Sequence, residues 1–579
     1  MTDLDRRTWA MALIVVALLC GVLPFWPVVN WLPWGSDASK WISWTSLSSG
    51  GWWEAVTNRK HFVGYRPVTA FSFVLNHATT GHAPWGYRGL DLFLHGLSGV
   101  LVALVVRQWV DVGQRSRIDA ATAGIALVAM LVLFGHPATE EVVPFSARRS
   151  YLLAMDFGLL ALLLFGSALR WTTSLAAWAG FVGTAALLLA AVLSNESAYV
   201  LVPMVPLVGL HLTWSAPRLR RIGQAMVPVG AATMVAVALR VSVLESLSGG
   251  YYRRYFAVVN ARGQPVWREL EEWQPLRILY AAWSYLLAPH EISGARAITS
   301  EWTQMMVVAP AAAFVLGLVV WQGARRRDDP AWRSLLLAGA WLVGSTAIIV
   351  LSQTWFWRQD YWLLPPYGLA LGVALREAIR RWPTDRRGSL GFGLPAIGLL
   401  VFALAHGPVL RLGMNTSAQQ DKIHGSRVAL AIADELRSLQ RPADVALLVP
   451  LKGNRAHLAR LWQRHLLPNA GHRYRLLGHL DRGIRPADAA PVARRQGDEL
   501  VVSDGYWLTD GYRKDAVTDP DPAAKGSRPV QRLKLDRLRV PRRPVTVLGV
   551  APGALRIDLG PADLSPPDST TPGPRPARR

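Results

Sequence analysis

Cysteine is almost absent from this chain. Its 579 residues include a single cysteine, Cys20, so no disulfide can form within the chain and no thiol-rich metal site exists. Charged residues are also scarce, at 17%, whereas 51% of the residues are hydrophobic and 26 are tryptophan. This composition excludes an ordinary soluble domain and is typical of an integral membrane protein.

The net charge of +23 does not indicate a nucleic-acid-binding protein. Much of the positive charge lies in short basic clusters between hydrophobic runs, where Lys and Arg are retained on the cytoplasmic side. The remaining charge lies in the C-terminal region, for which anionic lipid is a nearer partner. We therefore expect membrane lipids as partners, and no nucleic acid.

Eleven hydrophobic runs approach the length of about 20 residues that a bilayer-spanning helix needs. They cover residues 9–29, 86–110, 119–136, 150–169, 173–193, 197–214, 222–245, 303–323, 331–352, 361–378 and 389–411. The basic clusters all fall on one side if the N-terminus is cytoplasmic and the shorter run at 276–289 does not cross. The first run is full length and lacks a cleavage site, so we expect a retained helix and not a signal peptide.

The predicted fold is therefore a multi-span α-helical membrane domain over residues 1–411. Two outer loops are long, 30–85 and 246–302, and an enzyme site is expected on that face because loops on a rigid scaffold carry function. A helix at 426–440 and strands at 445–450 and 544–550 predict a soluble extracytoplasmic α+β domain over 412–559. The proline-rich residues 560–579 are expected to be disordered.

Residues 65–76, YRPVTAFSFVLN, are too short and too polar at their ends to cross a bilayer. We interpret the segment 66–80 as an interfacial helix on the outer leaflet, with Arg66 at the depth of a lipid phosphate. A snorkelling arginine is the alternative. Asp37, in the same outer loop, is either a general base facing the interface or the cap of a short helix.

Several ionisable residues lie in or beside predicted spans. Asp91 and His95 are four residues apart and share one helical face, and Asp156 lies inside another span. Such groups often mark function, although hydrogen bonding between helices explains them equally well. His136 with Glu140 and Glu141 offers too few ligands to predict a metal site, so we expect no divalent metal cofactor.

Arginines on the outer side depart from the positive-inside trend. Arg148 and Arg149 are adjacent and would lie beside the outer membrane surface, where a guanidinium binds phosphate by bidentate hydrogen bonds. A second set, in the loop 246–302, suits phosphate recognition and a solvated basic loop equally well. Its members are Arg253, Arg254 and Arg262.

Four blocks resemble a known enzyme family in order and spacing. They are YRPVTAFSFVLN, GHAPWGYRGLDLFLH, FGHPATEEVVPFSARRSYLLA and LSNESAYVLVP, with a looser match at WFWRQDYWLLPPYGLALG. This pattern resembles the membrane glycosyltransferases of the C superfold, and within them the transmembrane and tetratricopeptide-repeat O-mannosyltransferases with their bacterial relatives. The blocks before the looser match cover roughly residues 30–210, and the tetratricopeptide repeats themselves are absent.

The resemblance implies an inverting transfer of a sugar, in that family mannose, from a polyprenyl-phosphate carrier to a protein or glycan acceptor. It implies Asp37 as the catalytic acid of the first outer loop, and Arg66, Arg149 and Arg358 as ligands of the donor phosphate. The matching supporting positions are Tyr65, Asn76, Asp91, His95, His136, Glu141 and Glu196. This chain departs from the family in having one acid where the family often has two adjacent, since Ala38 follows Asp37.

Two other functions stay open. A transporter or flippase of lipid-linked sugars would show internal repeats and midplane charges, whereas here the unusual charges cluster in outer loops. A non-catalytic scaffold that retains the fold would explain the single acid of the first loop. The absence of disulfides favours a bacterial inner membrane over the endoplasmic reticulum.

Overall fold

The computed structural model describes most of the apolar helices and the strands of the C-terminal region. The described residues are 6–29, 41, 53, 65–81, 83–111, 120–136, 138–139, 142–212, 216–244, 257–259, 265–267, 279, 282, 286, 329–351, 357–381, 444–452, 473–480, 493–502, 506–508, 517–519, 530–538, 545–549 and 556–559. The chain divides into two compact units, Met1–Thr416 and Ser417–Arg579.

The described part of the first unit contains ten α-helices. Helices α1 to α10 are, in order, Arg6–Val16, Pro67–Thr80, Pro84–Val110, Ala120–Gly135, Arg149–Ala168, Ser174–Ser194, Leu201–Leu212, Ala216–Leu244, Pro330–Leu351 and Leu364–Arg381. Helix α1 continues as a π-helix, Ala17–Val22, and a 3-10 helix, Leu23–Val28. Further 3-10 helices precede α5, α7 and α10, at Ser146–Arg148, Glu196–Val200 and Trp357–Trp362.

Six helical segments of the described chain are long and apolar enough to cross a membrane. They are Arg7–Trp26, Pro84–Val110, Ser146–Ala168, Ser174–Ser194, Leu219–Leu244 and Pro330–Val350. Two shorter apolar helices are Ala121–Gly135 and Glu196–Leu212. The predicted class, a multi-span helical membrane protein, is confirmed.

The predicted count of eleven spans is not settled by these helices. Helix α10, which overlaps the predicted span 361–378, is not among the six. The predicted spans 303–323 and 389–411 lie outside the described residues. Their number and the orientation of the chain therefore stay predictions.

Glycines let the helices approach one another closely. A Cβ added at Gly368 of α10 would lie 2.7 Å from the Cα of Ala129 in α4. One added at Gly99 of α3 would lie 2.0 Å from the ring of Phe134. Because lipid tails are as apolar as leucine, close van der Waals packing of this kind is a main force holding helices together in a bilayer.

Helix α2 positions the first predicted site residue. It begins at Pro67, since proline lacks an N–H and its fixed φ suits the first turn. Phe73 is buried on one face, whereas Phe71 and Leu75 are about half exposed on another. The helix predicted within 66–80 is present, and its location at the outer leaflet stays a prediction.

Strands occur in both units. A short antiparallel hairpin, β1 (Ala257–Val259) with β2 (Pro265–Trp267), lies in the second long loop, where the sequence predicts no strand.

The second unit contains strands β3 to β11: Asp444–Lys452, Arg473–Leu480, Ala493–Gln496, Glu499–Val502, Tyr506–Leu508, Val517–Asp519, Val530–Lys534, Val545–Gly549 and Arg556–Leu559.

Two sheets organise the second unit. One has the order β11-β10-β3-β4-β7, with β10, β3 and β4 parallel and both edge strands antiparallel. The other is antiparallel, with the order β5-β6-β9-β8. Residues 445–447 of β3 are fully buried, as expected of a central strand covered on both faces. The strands predicted at 445–450 and 544–550 are therefore present, whereas the predicted helix 426–440 and tail 560–579 lie outside the described residues.

Candidate functional site

The structure brings some predicted site residues together and does not describe others. Asp37, the predicted base, and Glu141 lie outside the described residues, so their roles stay predictions. Trp41, in the same loop as Asp37, stacks on Phe73 of α2 with ring centres 5.3 Å apart. Trp41 therefore packs against α2 within the predicted first outer loop, 30–85.

Arg66 and Glu196 form a bidentate ion pair. The Nε of Arg66 donates to Oε2 of Glu196 at 3.0 Å, and its Nη2 donates to Oε1 at 2.7 Å. The two residues are 130 positions apart, one before α2 and the other opening the 3-10 helix after α6. Their side chains are 14% and 28% exposed. Two of the predicted site residues therefore meet at a place that solvent or a ligand can reach.

Three hydrogen bonds hold this pair in position. Thr69 Oγ1, in the first turn of α2, donates to the Ser194 carbonyl oxygen at 3.1 Å. Asn195 Nδ2 donates to Ser150 Oγ at 3.2 Å, and the same oxygen accepts from Arg66 Nη1 at 3.3 Å. The Asn195 side-chain oxygen also caps the following 3-10 helix.

A second arginine lies beside the same carboxylate. The Nη1 of Arg240 is 4.0 Å from Oε2 of Glu196, and the Arg240 side chain is only 7% exposed. The motifs that carry the family resemblance contain no residue of α8, so Arg240 is not among the site residues predicted from the sequence. Its charge inside the predicted span 222–245 is the signal that could have found it, because such charges usually face the bundle interior.

The two arginines fix the charge of Glu196. Burial alone would raise the pKa of its carboxyl, but the charge of Arg66, the hydrogen bond that Arg66 donates and the charge of Arg240 outweigh burial and lower the pKa to about 2. Glu196 is therefore an anion at physiological pH and cannot donate a proton to a substrate.

Arg149 and Asp91 form a second ion pair, which is fully buried. The Nε of Arg149 donates to Oδ1 of Asp91 at 2.6 Å, and the side chains are 0% and 1% exposed. The Nη2 donates to the Tyr87 carbonyl oxygen at 3.0 Å, and the guanidinium carbon lies 4.4 Å from the centre of the Phe73 ring. These contacts join α5 to α3 and α2. Direct contact of Arg149 with a phosphate would require their release, and that role stays a prediction.

A third polar group lies in the interior of the helical unit. The Nδ1 of His95 is 3.2 Å from the Tyr361 hydroxyl, and Ser98 Oγ donates to Oδ1 of Asp156 at 2.5 Å. All four side chains are buried. Asp91 and His95 therefore bond to different partners, and a function for His95 and Asp156 stays a prediction beside the alternative of interhelical hydrogen bonding.

His136 has protein partners on both ring nitrogens. Its Nδ1 accepts from the Ala138 N–H at 3.1 Å, and its Nε2 is 3.3 Å from the Leu286 carbonyl oxygen. An Nδ1 that accepts leaves the proton on Nε2, which donates to Leu286. Within the part of the chain that the structure describes, no three His, Cys, Asp or Glu side chains are placed to hold a metal ion.

Three predicted residues complete the set. Asn76 Nδ2 donates to the Gly86 carbonyl oxygen at 3.0 Å and so joins α2 to α3. Tyr65 is buried, burial raises the pKa of its hydroxyl, and that hydroxyl has no hydrogen-bond partner among the described residues. Arg358 is partly buried in the 3-10 helix before α10. Their roles at a site stay predictions.

No family model and no curated protein matches this chain. Among solved structures it is similar to ArnT from Cupriavidus metallidurans bound to undecaprenyl phosphate, at 15% identity over 91% of this chain and 98% of that chain, with a TM-score of 0.48. The structure of ArnT from the same organism in the apo state is similar at 16% identity over 81% of this chain and 86% of that chain, with a TM-score of 0.41.

A further similar structure is the oligosaccharyltransferase AglB from Archaeoglobus fulgidus in complex with an inhibitory peptide and a dolichol-phosphate. It gives 12% identity over 81% of this chain and 64% of that chain, with a TM-score of 0.39. These low values do not establish an activity for this protein. Membership of the O-mannosyltransferase family stays a prediction.

Proposed function

We propose that this protein is a membrane glycosyltransferase. It moves a sugar from a polyprenyl-phosphate carrier to a hydroxyl group of a protein or glycan acceptor on the outer face, with inversion at the sugar carbon. The observation that supports this most is Arg66, a partly exposed guanidinium in the predicted first outer loop and among apolar helices. The sugar that the family resemblance favours is mannose.

The start of α2 suits an anionic group. Arg66 is the N-terminal flanking residue of this helix, which has no side-chain cap, so the positive end of the helix adds to the arginine charge. A guanidinium binds two phosphate oxygens in parallel. The half-exposed Phe71 and Leu75 give the same helix an apolar face suited to the lipid boundary.

The reaction assigned to the site is a single displacement. The acceptor hydroxyl oxygen bonds to the anomeric carbon while the bond from that carbon to the phosphate oxygen breaks. The hydroxyl proton goes to the Asp37 carboxylate, and the electron pair leaves with the polyprenyl phosphate. Arg66, with Arg358 as a further candidate, stabilises the charge that develops on this leaving group.

The test uses the full chain purified in lipid nanodiscs. Binding of undecaprenyl phosphate and consumption of a panel of polyprenyl-phosphate hexoses are measured together, with membranes from a deletion strain as the acceptor source. An enzyme binds the donor and consumes it, a flippase moves it without consuming it, and a scaffold does neither. Mass spectrometry of glycans and glycoproteins in the deletion strain identifies the product.

Asp37→Asn should still bind the carrier and should lose transfer. The matched control is Glu54→Gln, which removes the other carboxylate of the loop 30–85 and should keep transfer. Full activity of Asp37→Asn would show that Asp37 is not the base. Absence of donor binding by the wild-type protein would contradict the proposed function as a whole.

A further inference from the structure

The carboxylate of Glu196 lies between two arginines from distant parts of the chain. Arg66 binds both of its oxygens, at 2.7 and 3.0 Å, whereas the nearest nitrogen of Arg240 is 4.0 Å from Oε2. These three side chains carry two positive charges and one negative charge. Arg240 is nearly buried, with 7% of its side chain exposed.

A phosphate matches this arrangement better than a carboxylate does. A carboxylate has two oxygens in one plane, and Arg66 engages both of them in the fork geometry that arginine also uses with phosphate. A phosphate carries further oxygens outside that plane. One phosphate group can therefore bond to Arg66 and reach Arg240 at the same time.

We propose that Arg66 and Arg240 form a single phosphate site, which Glu196 occupies in the ligand-free protein and leaves when a phosphate binds. Arg240 is then a second phosphate ligand, and Glu196 is a competing carboxylate. That the phosphate belongs to a polyprenyl carrier rests on the proposed function. The two-arginine site itself rests on the contacts described above.

The exposure of the three side chains supports this exchange. Glu196 is 28% exposed, Arg66 14% and Arg240 7%, so the carboxylate is the member nearest to open space. The arginines are more enclosed, and Arg66 is also bonded to Ser150. The most exposed group of the cluster is thus the anion, and it is the one that a ligand reaches first.

The position of Arg240 along α8 suits a lipid phosphate. Arg218, in the predicted cytoplasmic cluster, precedes it by about 22 residues, which is about 33 Å of helix at 1.5 Å per residue. The hydrocarbon core of a bilayer is about 30 Å thick. In the predicted orientation Arg240 therefore lies at the outer boundary of the hydrocarbon, where the phosphate of a carrier lipid would be.

The experiment measures binding of undecaprenyl phosphate to the full chain in phosphatidylcholine nanodiscs. Arg240→Met should weaken binding by about tenfold or more, as Arg66→Met should, because each loses a charge-assisted bond. Glu196→Gln, which keeps the side-chain shape, should tighten binding because the competing charge is gone. Arg221→Met is the matched control: it changes an arginine of the same helix that bonds to the Leu169 and Trp171 carbonyl oxygens, and it should leave binding unchanged.

Two results would overturn the proposal. Weaker binding by Glu196→Gln would show that Glu196 only orients Arg66, and unchanged binding by Arg240→Met would remove Arg240 from the site. If Arg240→Met fails to fold, Arg240→Gln and Arg240→Lys test the same point, since the first should weaken binding and the second should retain part of it.

Separate ligands distinguish this inference from the proposed function. Inorganic phosphate and phosphatidylglycerol replace undecaprenyl phosphate in parallel measurements with the same variants. If one of these shows the predicted pattern and the carrier does not, the two-arginine site stands and the proposed carrier is wrong. If the carrier shows the pattern but no donor sugar is consumed, the site stands and the proposed transfer fails. If none of the three phosphate compounds shows the predicted pattern of binding, Arg66 and Arg240 do not form a phosphate site.

Discussion

Arg149 and Asp91 are bonded at 2.6 Å within the helical unit, where neither side chain is exposed to solvent by more than 1%. The pair joins the start of α5 to α3, and the guanidinium also lies over the ring of Phe73 in α2. Arg149 therefore connects α5, α3 and α2. These contacts predict that loss of Arg149 destabilises the fold, whereas a role limited to phosphate binding would leave stability unchanged.

Arg149→Met should lower the free energy of unfolding by about 3–5 kcal/mol, because it leaves the Asp91 carboxylate buried without its partner. Denaturant titration in mixed micelles measures this loss. The matched control is Arg376→Met, whose ion pair with Asp329 at 3.2 Å is about one-quarter exposed on both sides and should cost at most about 1 kcal/mol. Equal losses in the two variants would contradict the structural role of Arg149.

Tyr361→Phe should destabilise the protein by about 1–3 kcal/mol, because the Nδ1 of buried His95 loses its partner. Tyr65→Phe should leave stability unchanged or raise it, since the Tyr65 hydroxyl has no hydrogen-bond partner among the described residues. Thermal unfolding of both variants in one detergent makes the comparison. A loss of transfer by Tyr65→Phe with full stability would indicate that its hydroxyl contacts the donor or acceptor. A larger loss of stability in Tyr65→Phe than in Tyr361→Phe would contradict this expectation.

Gly368→Ala should destabilise the helical unit by about 1–3 kcal/mol, because the new Cβ would meet the backbone of Ala129, which cannot rotate away. Gly89→Ala in α3 is the matched control, since nothing lies within 4 Å of the added atom. That change should be neutral or stabilising by up to about 1 kcal/mol, because glycine weakens a helix interior. Similar unfolding temperatures for the two variants would show that α10 does not pack on α4 as closely as described.

Glu196 should contribute stability that acid removes. Its folded pKa of about 2 lies below the ordinary value of 4.5, so the ionised form is favoured in the folded protein. The contribution is complete above about pH 4.5 and is lost as the pH falls toward 2. The unfolding temperature of the wild-type protein should therefore fall more steeply across this window than that of Glu196→Gln. Parallel curves would show that the ion pair with Arg66 does not stabilise the fold.

The sequence by itself determined the class of protein and several of its described helices. The span predicted at 173–193 is the helix Ser174–Ser194, and the span predicted at 86–110 lies within Pro84–Val110. A long apolar run in a bilayer must satisfy its backbone hydrogen bonds internally, so length and composition predict a helix without knowledge of its neighbours. The strand at 445–450 was predictable for a similar reason, since a short continuous apolar run is typical of a buried parallel strand.

Only the tertiary structure decided which charges meet. The sequence places Arg66 and Arg149 in one class, outward arginines suited to phosphate, whereas the structure leaves Arg66 partly exposed on Glu196 and buries Arg149 on Asp91. It also brings Arg240, from a helix with no recognisable motif, to within 4.0 Å of Glu196. Local sequence patterns indicate that a charge in an apolar helix needs a partner. The identity of that partner depends on how each helix is rotated and packed, and these are set by contacts between residues far apart in the chain.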